Sequence, residues 1–166
     1  MLVTFLTIIV VSGIFLTYVL LSINKDVVSP VYVINAGGSK TALVVYQPGL
    51  SSSPKDNSYA FADGLASSGW RVEITTASSQ APSDLSNYSL LVLAFPIYSG
   101  GPGAAAVRYV DRLGNLQGIH TVIIDVGAAS ENIMKQKVQA KNGIIIETLV
   151  ADGATDIRQA GSQIVP

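Results

Sequence analysis

One stretch constrains the fold of this chain more than any other: an apolar run that leads through a glycine-rich loop into an amphipathic segment. The run from Leu90 to Phe95 contains no polar residue, which is typical of a strand buried on both faces of a parallel sheet. Pro96 is predicted to end this strand, because proline has no N–H to donate to a neighbour. From there, apolar residues recur at helical spacing and predict the buried face of a helix: Ala104, Val107, Val110 and Leu113. The loop follows the carboxyl end of a central strand, where open α/β sheets bind ligands.

The rest of the chain alternates β-rich runs with helical patterns. The predicted strands, in chain order, are Thr41 to Tyr46, Trp70 to Thr75, Leu90 to Phe95, His120 to Val126 and Ile144 to Val150. The predicted helices are Tyr59 to Leu65, Ala104 to Leu113 and Glu131 to Lys141, the last with Ser130 as its N-cap. This alternation predicts an α/β fold with a doubly wound, parallel, five-stranded sheet.

The N-terminus is a separate element. No charged side chain occurs from Leu2 to Asn24. As a helix this run is roughly 33 Å long, which matches the hydrocarbon core of a bilayer. We predict a transmembrane anchor over residues 1–24, a linker over 25–39 and one domain over 40–166. A cleaved signal peptide is the alternative, but no Lys or Arg precedes the run and no small-residue cleavage site is evident.

The residues after the anchor suggest an orientation and a connector. Lys25 follows the apolar run directly, and the positive-inside rule then predicts a cytoplasmic C-terminal domain. Pro30 and the pair Gly37-Gly38 indicate a connector that acts as a tether. Within it, Val31 to Ile34 is a candidate for a short edge strand.

Composition excludes several classes of site. The chain has no cysteine and one histidine, His120, so disulfides, thiolate metal sites and His-rich metal sites are excluded. A net charge of −1 provides no basic footprint for nucleic acid. No Gly-x-Ser-x-Gly motif is present, which disfavours a hydrolase. We predict no catalytic residue and no metal ligand.

The loop after the third predicted strand carries a resemblance to a known family. The sequence of this loop is Pro96, Ile97, Tyr98, Ser99, Gly100 and Gly101. A strand, a Pro-x-Tyr-x-Gly-Gly loop and a helix resemble the corresponding part of flavodoxin-like proteins, and the likeness extends over about Lys40 to Val150. The resemblance implies the strand order 2-1-3-4-5 and binding of FMN. It further implies that this loop flanks the flavin ring, with Tyr98 as the aromatic residue that can stack on it.

The resemblance also assigns the loops after the first and fourth strands. In the family the first loop wraps the FMN phosphate, and here Gly49, Ser51, Ser52 and Ser53 occupy its place. Hydroxyl and backbone N–H groups at a helix N-terminus favour an anion. The family's Thr-Gly-x-Thr pattern is absent, however, and Pro54 removes one donor. An ordinary polar connection is therefore the alternative, and Ser58 is a later hydroxyl that could contribute.

The fourth strand is followed by Gly127, which the resemblance brings to the other side of the flavin ring. Asp125, at the end of that strand, is expected to cap the next segment. His120 is expected to be a strand-end surface residue, and Trp70 a packing residue.

Two functions remain open from the sequence. The first is a membrane-tethered, FMN-binding electron carrier that works with a redox partner protein; a flavin-reductase-like version is a variant of it, although no nicotinamide motif is visible. The second is a non-catalytic interaction or regulatory module that has kept the fold and lost FMN. The segment Asp152 to Pro166 has two glycines and too few apolar residues for a long helix. One face of the sheet is therefore expected to be less covered, unless Val27 to Ile34, a partner or the membrane covers it.

Overall fold

The computed structural model of the chain describes residues 2–128, 132–152 and 156–166. The helices are α1 Leu2–Asn24, α2 Ser53–Ser67, α3 Ala104–Arg112, α4 Ile133–Ala140 and α5 Ile157–Ser162. The strands are β1 Tyr32–Ile34, β2 Thr41–Tyr46, β3 Arg71–Thr76, β4 Leu90–Tyr98, β5 Gly101–Pro102, β6 His120–Val126 and β7 Ile144–Ala151. The predicted N-cap Ser130 and the predicted helix start at Glu131 lie outside the described residues.

The five predicted strands form a parallel sheet in the predicted order. They correspond to β2, β3, β4, β6 and β7, and their spatial order is β3-β2-β4-β6-β7. Two short strands are added to this frame. β1 pairs antiparallel with β3 at one edge, and β5 pairs antiparallel with the end of β4. The doubly wound α/β prediction is therefore confirmed, with a sheet that is larger than expected.

The prediction that Pro96 ends the third strand is wrong. β4 continues to Tyr98, and Pro96 lies in register with Val126 of β6. On its other side β4 is paired with β2 only as far as Ala94, so the missing N–H of Pro96 falls where that neighbour has ended. The strand then turns back through Ser99 and Gly100, both with positive φ, into β5. Two consecutive positive φ angles are typical of the type I′ hairpin turn, whose backbone twist matches that of the flanking strands.

Helices cover both faces of the sheet. α2 and α5 pack on one face, where Phe61, Leu65 and Ile157 are buried against the sheet. α3 and α4 pack on the other, where Tyr109 and Met134 are buried. The buried face of α3 is rotated from the predicted one: Ala104 and Val107 are half-exposed, whereas Ala105, Ala106, Tyr109 and Val110 are buried. Tyr109 was absent from the predicted apolar face, and it is one of the largest fully buried side chains.

The segment between α1 and β2 is attached to the sheet rather than extended as a free tether. Tyr32–Ile34 forms the edge strand anticipated at Val31 to Ile34. Before it, Thr76 at the end of β3 donates its hydroxyl to the Val27 carbonyl (2.5 Å), and Ser29 N donates back to Thr76 Oγ1 (3.0 Å). Short polar side chains at the end of β3 therefore provide the partners that the extended backbone of this segment requires.

The C-terminal segment forms a short helix that covers more of the sheet than its sequence suggested. α5 packs closely on α2, with Ile157 buried and Ile164 packed on the same core. Trp70, expected to be a packing residue, is buried, and its Nε1 donates to the Ile164 carbonyl (2.7 Å). Ile34 of β1 packs on this core as well. The cover of this face thus comes from both ends of the domain.

α1 is long and apolar enough to span a membrane, and none of its most apolar window is buried. Among its described side chains, contact with the domain is confined to the C-terminal end, where Val19, Ser22 and Ile23 are partly covered. The Ile23 carbonyl accepts from Gln47 Nε2 (3.3 Å), and the Asn24 carbonyl accepts from Arg108 Nη2 (3.2 Å). The helix therefore projects from the domain and touches it only at its last turns.

Glu73 on β3 is expected to contribute to stability in a pH-dependent way. Burial raises the pKa of its carboxyl group, but hydrogen bonds from Tyr88 and Arg71 outweigh burial and hold the pKa below its ordinary value near 4.5. A lowered pKa in the folded state gives a contribution that is present above the unfolded pKa and lost as the pH falls through the folded one. We expect stability measured by denaturant titration to fall between pH 5 and 3 less steeply in Glu73→Gln than in the wild type. Equal slopes would contradict this assignment.

Candidate functional site

The candidate site is the edge of the sheet where the parallel strands have their carboxyl ends. The loop Gln47 to Ser52 leaves β2, the turn at Ser99 and Gly100 leaves β4, and Gly127 follows β6. Because these three strands lie beside one another, their loops meet at a single edge. The sequence-predicted site residues therefore belong to one region of the fold.

The serine-rich stretch lies at the start of a helix. α2 begins at Ser53, so residues 53–57, which the sequence assigned to a long loop, form the first turn. Pro54 accounts for this early start, since proline fits the first turn of a helix. Ser51, Ser52 and Ser53 are exposed, and Ser52, at the N-cap position, makes no capping hydrogen bond with its side chain. Their hydroxyls and the positive end of the helix are thus directed to solvent, which suits an anion.

Ser58, the later candidate hydroxyl, does not join this group. Its side chain is buried and donates to the Pro54 carbonyl (2.6 Å) inside α2. Its hydroxyl is thus satisfied inside the helix and is not available to a ligand at the helix N-terminus.

Tyr98 contacts the serine-rich loop. Leu50 N donates to the Tyr98 hydroxyl oxygen (3.2 Å), and Tyr98 is half-buried. A Cβ at Gly49 would lie 3.3 Å from that hydroxyl and 3.0 Å from Pro54 Cγ. The structure therefore brings Gly49 and Tyr98 together, and glycine is what allows the loop to approach the aromatic ring this closely.

Of the remaining predicted site residues, some pack against the core and others are exposed. Pro96 is buried, and Ile97 is packed against the core of the α3 face. Ser99 and Gly100 are exposed at the hairpin, and Gly127 is exposed with a positive φ. Added Cβ atoms at Gly100 and Gly127 would meet no atom within 4 Å, so space is open beside these two backbones. Gly101 lies in β5, paired with Tyr98.

Gln47 is a residue of this edge that the sequence reasoning did not identify. It is buried, its Oε1 accepts from Ala106 N in the first turn of α3 (2.9 Å), and its Nε2 donates to the Ile23 carbonyl. The N-cap of α3 is Gly103, which has no side chain, and a Cβ there would lie 2.3 Å from the Gln47 amide. Gln47 thus caps α3 from another element and links it to α1. A polar residue directly after an apolar strand was the available signal.

Gln47→Ala is expected to destabilise the protein by about 1–3 kcal/mol, because it leaves the buried N–H of Ala106 without its acceptor. Thermal unfolding of the full chain in detergent measures this. Gln139→Ala, the same substitution at an exposed position of α4, is the matched control and should leave stability nearly unchanged. Similar melting temperatures for the two variants would contradict the capping role.

Other polar residues singled out from the sequence lie elsewhere. His120 is exposed at the amino end of β6, beside a cleft of about 500 Å³ that also includes Lys40, Asp84 and Tyr88. This cleft is at the edge of the sheet opposite the candidate site. Asp125 is buried near the end of β6. Within residues 2–128, 132–152 and 156–166, no group of His, Cys, Asp and Glu is arranged to hold a metal ion.

Comparison with known proteins identifies the fold. No family model matches the chain, and no curated protein sequence matches it significantly. The solution structure of two-electron-reduced flavodoxin from Megasphaera elsdenii is similar, with a TM-score of 0.64, 17% identity, and coverage of 73% of this chain and 96% of that one. A flavodoxin from the domain Archaea has a TM-score of 0.62 and 14% identity, and covers 74% of this chain and 92% of its own.

A third similar structure is part of a larger protein. The flavodiiron core of Flv1 from Synechocystis has a TM-score of 0.59 and 10% identity, and the match covers 77% of this chain and 36% of that one. All three identities are low, so the likeness concerns the backbone. The part of the chain after α1 has a flavodoxin-like fold.

Proposed function

We propose that this chain is a membrane-tethered, flavodoxin-like protein that binds FMN and transfers electrons. The observation that carries the proposal is the exposed serine cluster at the N-terminus of α2, next to Tyr98, at the carboxyl edge of the sheet. Proteins of the same fold are flavodoxins by name, which supports a flavin as the ligand at this edge.

The residues of this edge fit the phosphate part of FMN. The N-terminus of the 15-residue helix α2 lacks a side-chain cap, and three exposed serines lie at it in sequence. Ser51, Ser52 and Ser53 would hold the phosphate. Tyr98 and the open backbones at Gly100 and Gly127 would flank the ring. The helix end has no side-chain cap and favours an anion, and Asp56 is the acidic residue that the first turn itself contains.

Bound flavin would supply the redox chemistry, as cofactors generally do. The chain's own residues bind and orient it: serine hydroxyls fix one end, and Tyr98 shields the other from water. A redox protein, or a membrane reductase, would exchange electrons with it.

The membrane part of the proposal rests on α1. We infer that α1 stays in the mature chain as a single-pass anchor, with the domain on the cytoplasmic side according to Lys25. A signal sequence of the same length and composition is the alternative. Extraction of membranes at alkaline pH, together with the mass of the mature chain, distinguishes a retained anchor from a cleaved leader.

Flavin titration of the full chain in detergent tests the cofactor. Saturable quenching of FMN fluorescence with a shifted visible band supports the proposal. Absence of quenching at high micromolar FMN would contradict it.

Tyr98 variants test how the aromatic ring contributes. Tyr98→Ala is expected to weaken FMN binding about tenfold through loss of ring contact, whereas Tyr98→Phe should bind nearly as well as the wild type. Both variants remove the hydroxyl that accepts from Leu50 N, so if Tyr98 acts only through this hydrogen bond, both should weaken FMN binding equally.

One observation favours a second function, a non-catalytic interaction module. The Tyr98 hydroxyl is engaged by Leu50 N, and Gln47 fills the space beside α3, so part of the edge is closed by the chain itself. Under this alternative the titration shows no flavin binding, while the fold and its stability remain intact.

A further inference from the structure

The end of α1 is attached to one particular edge of the domain. Gln47, which accepts from α3 and donates to the Ile23 carbonyl, follows β2 at its carboxyl end. Arg108 of α3 donates to the next carbonyl, that of Asn24. The apolar helix therefore leaves the domain from the same edge of the sheet that carries the candidate flavin site.

The residues after α1 form no flexible linker between the helix and the domain. Only Lys25 separates the helix end from Asp26, whose carboxylate accepts from Ser79 Oγ (2.7 Å) and from Ser79 N. The hydrogen bond from the Ser79 side chain lowers the pKa of the Asp26 carboxyl group. Together with the bonds of Val27 and Ser29 to Thr76, the bonds from Ser79 fasten residues 26–29 to the carboxyl end of β3.

We propose that the carboxyl edge of the sheet lies against the lipid headgroups of the membrane that α1 enters, so that the candidate site faces the bilayer surface. This inference rests on the membrane anchor in the proposed function and is independent of FMN. Because no flexible linker separates α1 from the domain, the position of α1 in the membrane fixes the position of the sheet edge to which α1 is attached. A bilayer that begins at the end of α1 is then adjacent to the loops after β2, β4 and β6.

The surface of this edge suits a lipid partner. Leu50, in the loop after β2, is 59% exposed, and Ile133, at the start of α4, is 37% exposed. Exposed apolar side chains of this kind insert into the headgroup region. Lys25 and Arg108 flank the end of α1 together with one carboxylate, that of Asp26, so the group has one net positive charge. A basic residue near an anionic membrane surface contributes about 1 kcal/mol of attraction. The opposite edge, with the cleft beside His120, faces away from the membrane in this orientation.

Single-cysteine labelling of the full chain tests this orientation. The chain has no cysteine, so each variant carries one label site. Ala128→Cys reports on the carboxyl edge and Asn115→Cys on the amino edge, and both positions are exposed. With a fluorescent label and nanodiscs that contain lipids with a quencher in the headgroup, we expect several-fold stronger quenching at position 128 than at position 115.

A loosened variant provides the matched control. A ten-residue Gly/Ser insertion after Asn24 is combined with Arg108→Ala and Thr76→Val. Together they remove the short connection, the side chain that binds the Asn24 carbonyl, and the hydroxyl that binds Val27 and Ser29. The variant should remain in the membrane and lose most of the difference between the two labels. An unchanged difference would contradict the attachment of α1 to this edge through these contacts.

Two failures can be told apart in the same samples. A chain released by alkaline extraction contradicts the anchor, and this proposal with it. A chain that stays in the membrane, but whose two labels are quenched equally, contradicts the docked edge alone.

Discussion

Ser52→Asp is expected to lower the affinity for FMN by roughly 100-fold, about 2.7 kcal/mol, while leaving the folded protein as stable as the wild type or slightly more stable. Ser52 lies at the N-cap position of α2 and makes no side-chain capping bond. An aspartate there accepts from the first-turn N–H groups and complements the helix dipole. The same carboxylate occupies the place of the FMN phosphate and repels it.

The size of this effect follows from Coulomb's law. Two unit charges 4 Å apart repel by about 1 kcal/mol in water and about 4 kcal/mol at the effective dielectric near a protein surface. The phosphate of FMN carries more than one negative charge at neutral pH. A loss of two powers of ten lies within this range.

Riboflavin, which lacks the phosphate, separates repulsion from a general loss of the site. Its affinity should be nearly equal in wild type and Ser52→Asp. Ser83→Asp, the same change of charge at an exposed serine on the opposite edge of the sheet, should leave both affinities unchanged. If Ser52→Asp binds FMN as the wild type does, the phosphate is held elsewhere or FMN is not the ligand.

The frame of the fold could be predicted because each strand carries its own signal. Runs such as Leu90 to Phe95 are buried on both faces, and their apolar character depends little on what surrounds them. The residue at which β4 ends, in contrast, depends on where the neighbouring strand β2 ends. Pro96 is tolerated in a strand because β2 has already ended beside it, and no local pattern contains that information.

The position of the candidate site in the fold could be predicted from the sequence, but the contacts between its residues could not. The loops after β2, β4 and β6 had to meet once the strand order was known. That Tyr98 would accept from Leu50 N, or that Gln47 would cap α3, depends on contacts between elements far apart in sequence. The edge strand at Val31 to Ile34 was anticipated, but the attachment of residues 27–29 was not, because their partners, Thr75 and Thr76, lie at the end of β3.

In the C-terminal helix, Gly161 lowers the local helix propensity but is required for the packing of the helix on the domain. A glycine destabilises an isolated helix by about 1 kcal/mol relative to alanine. Gly161 was therefore one reason why the sequence predicted no long C-terminal helix over the sheet. In the structure it lies where α5 crosses α2, and a Cβ there would be 2.4 Å from the Phe61 carbonyl oxygen. The glycine permits the close contact through which a helix of only six residues packs on the domain.

Gly161→Ala is therefore expected to destabilise the protein by about 3 kcal/mol, despite the gain in helix propensity. The clash is with backbone atoms of α2, which cannot move aside like a flexible side chain, so α5 must separate from Phe61 and expose Ile157 and Trp70. Thermal unfolding should show a midpoint lower by roughly 6–12 °C. Gly114→Ala, where an added Cβ meets nothing within 4 Å, is the control and should unfold as the wild type does. If Gly161→Ala unfolds like this control, α5 is not packed on α2 as described, and that face of the sheet must be covered by something else.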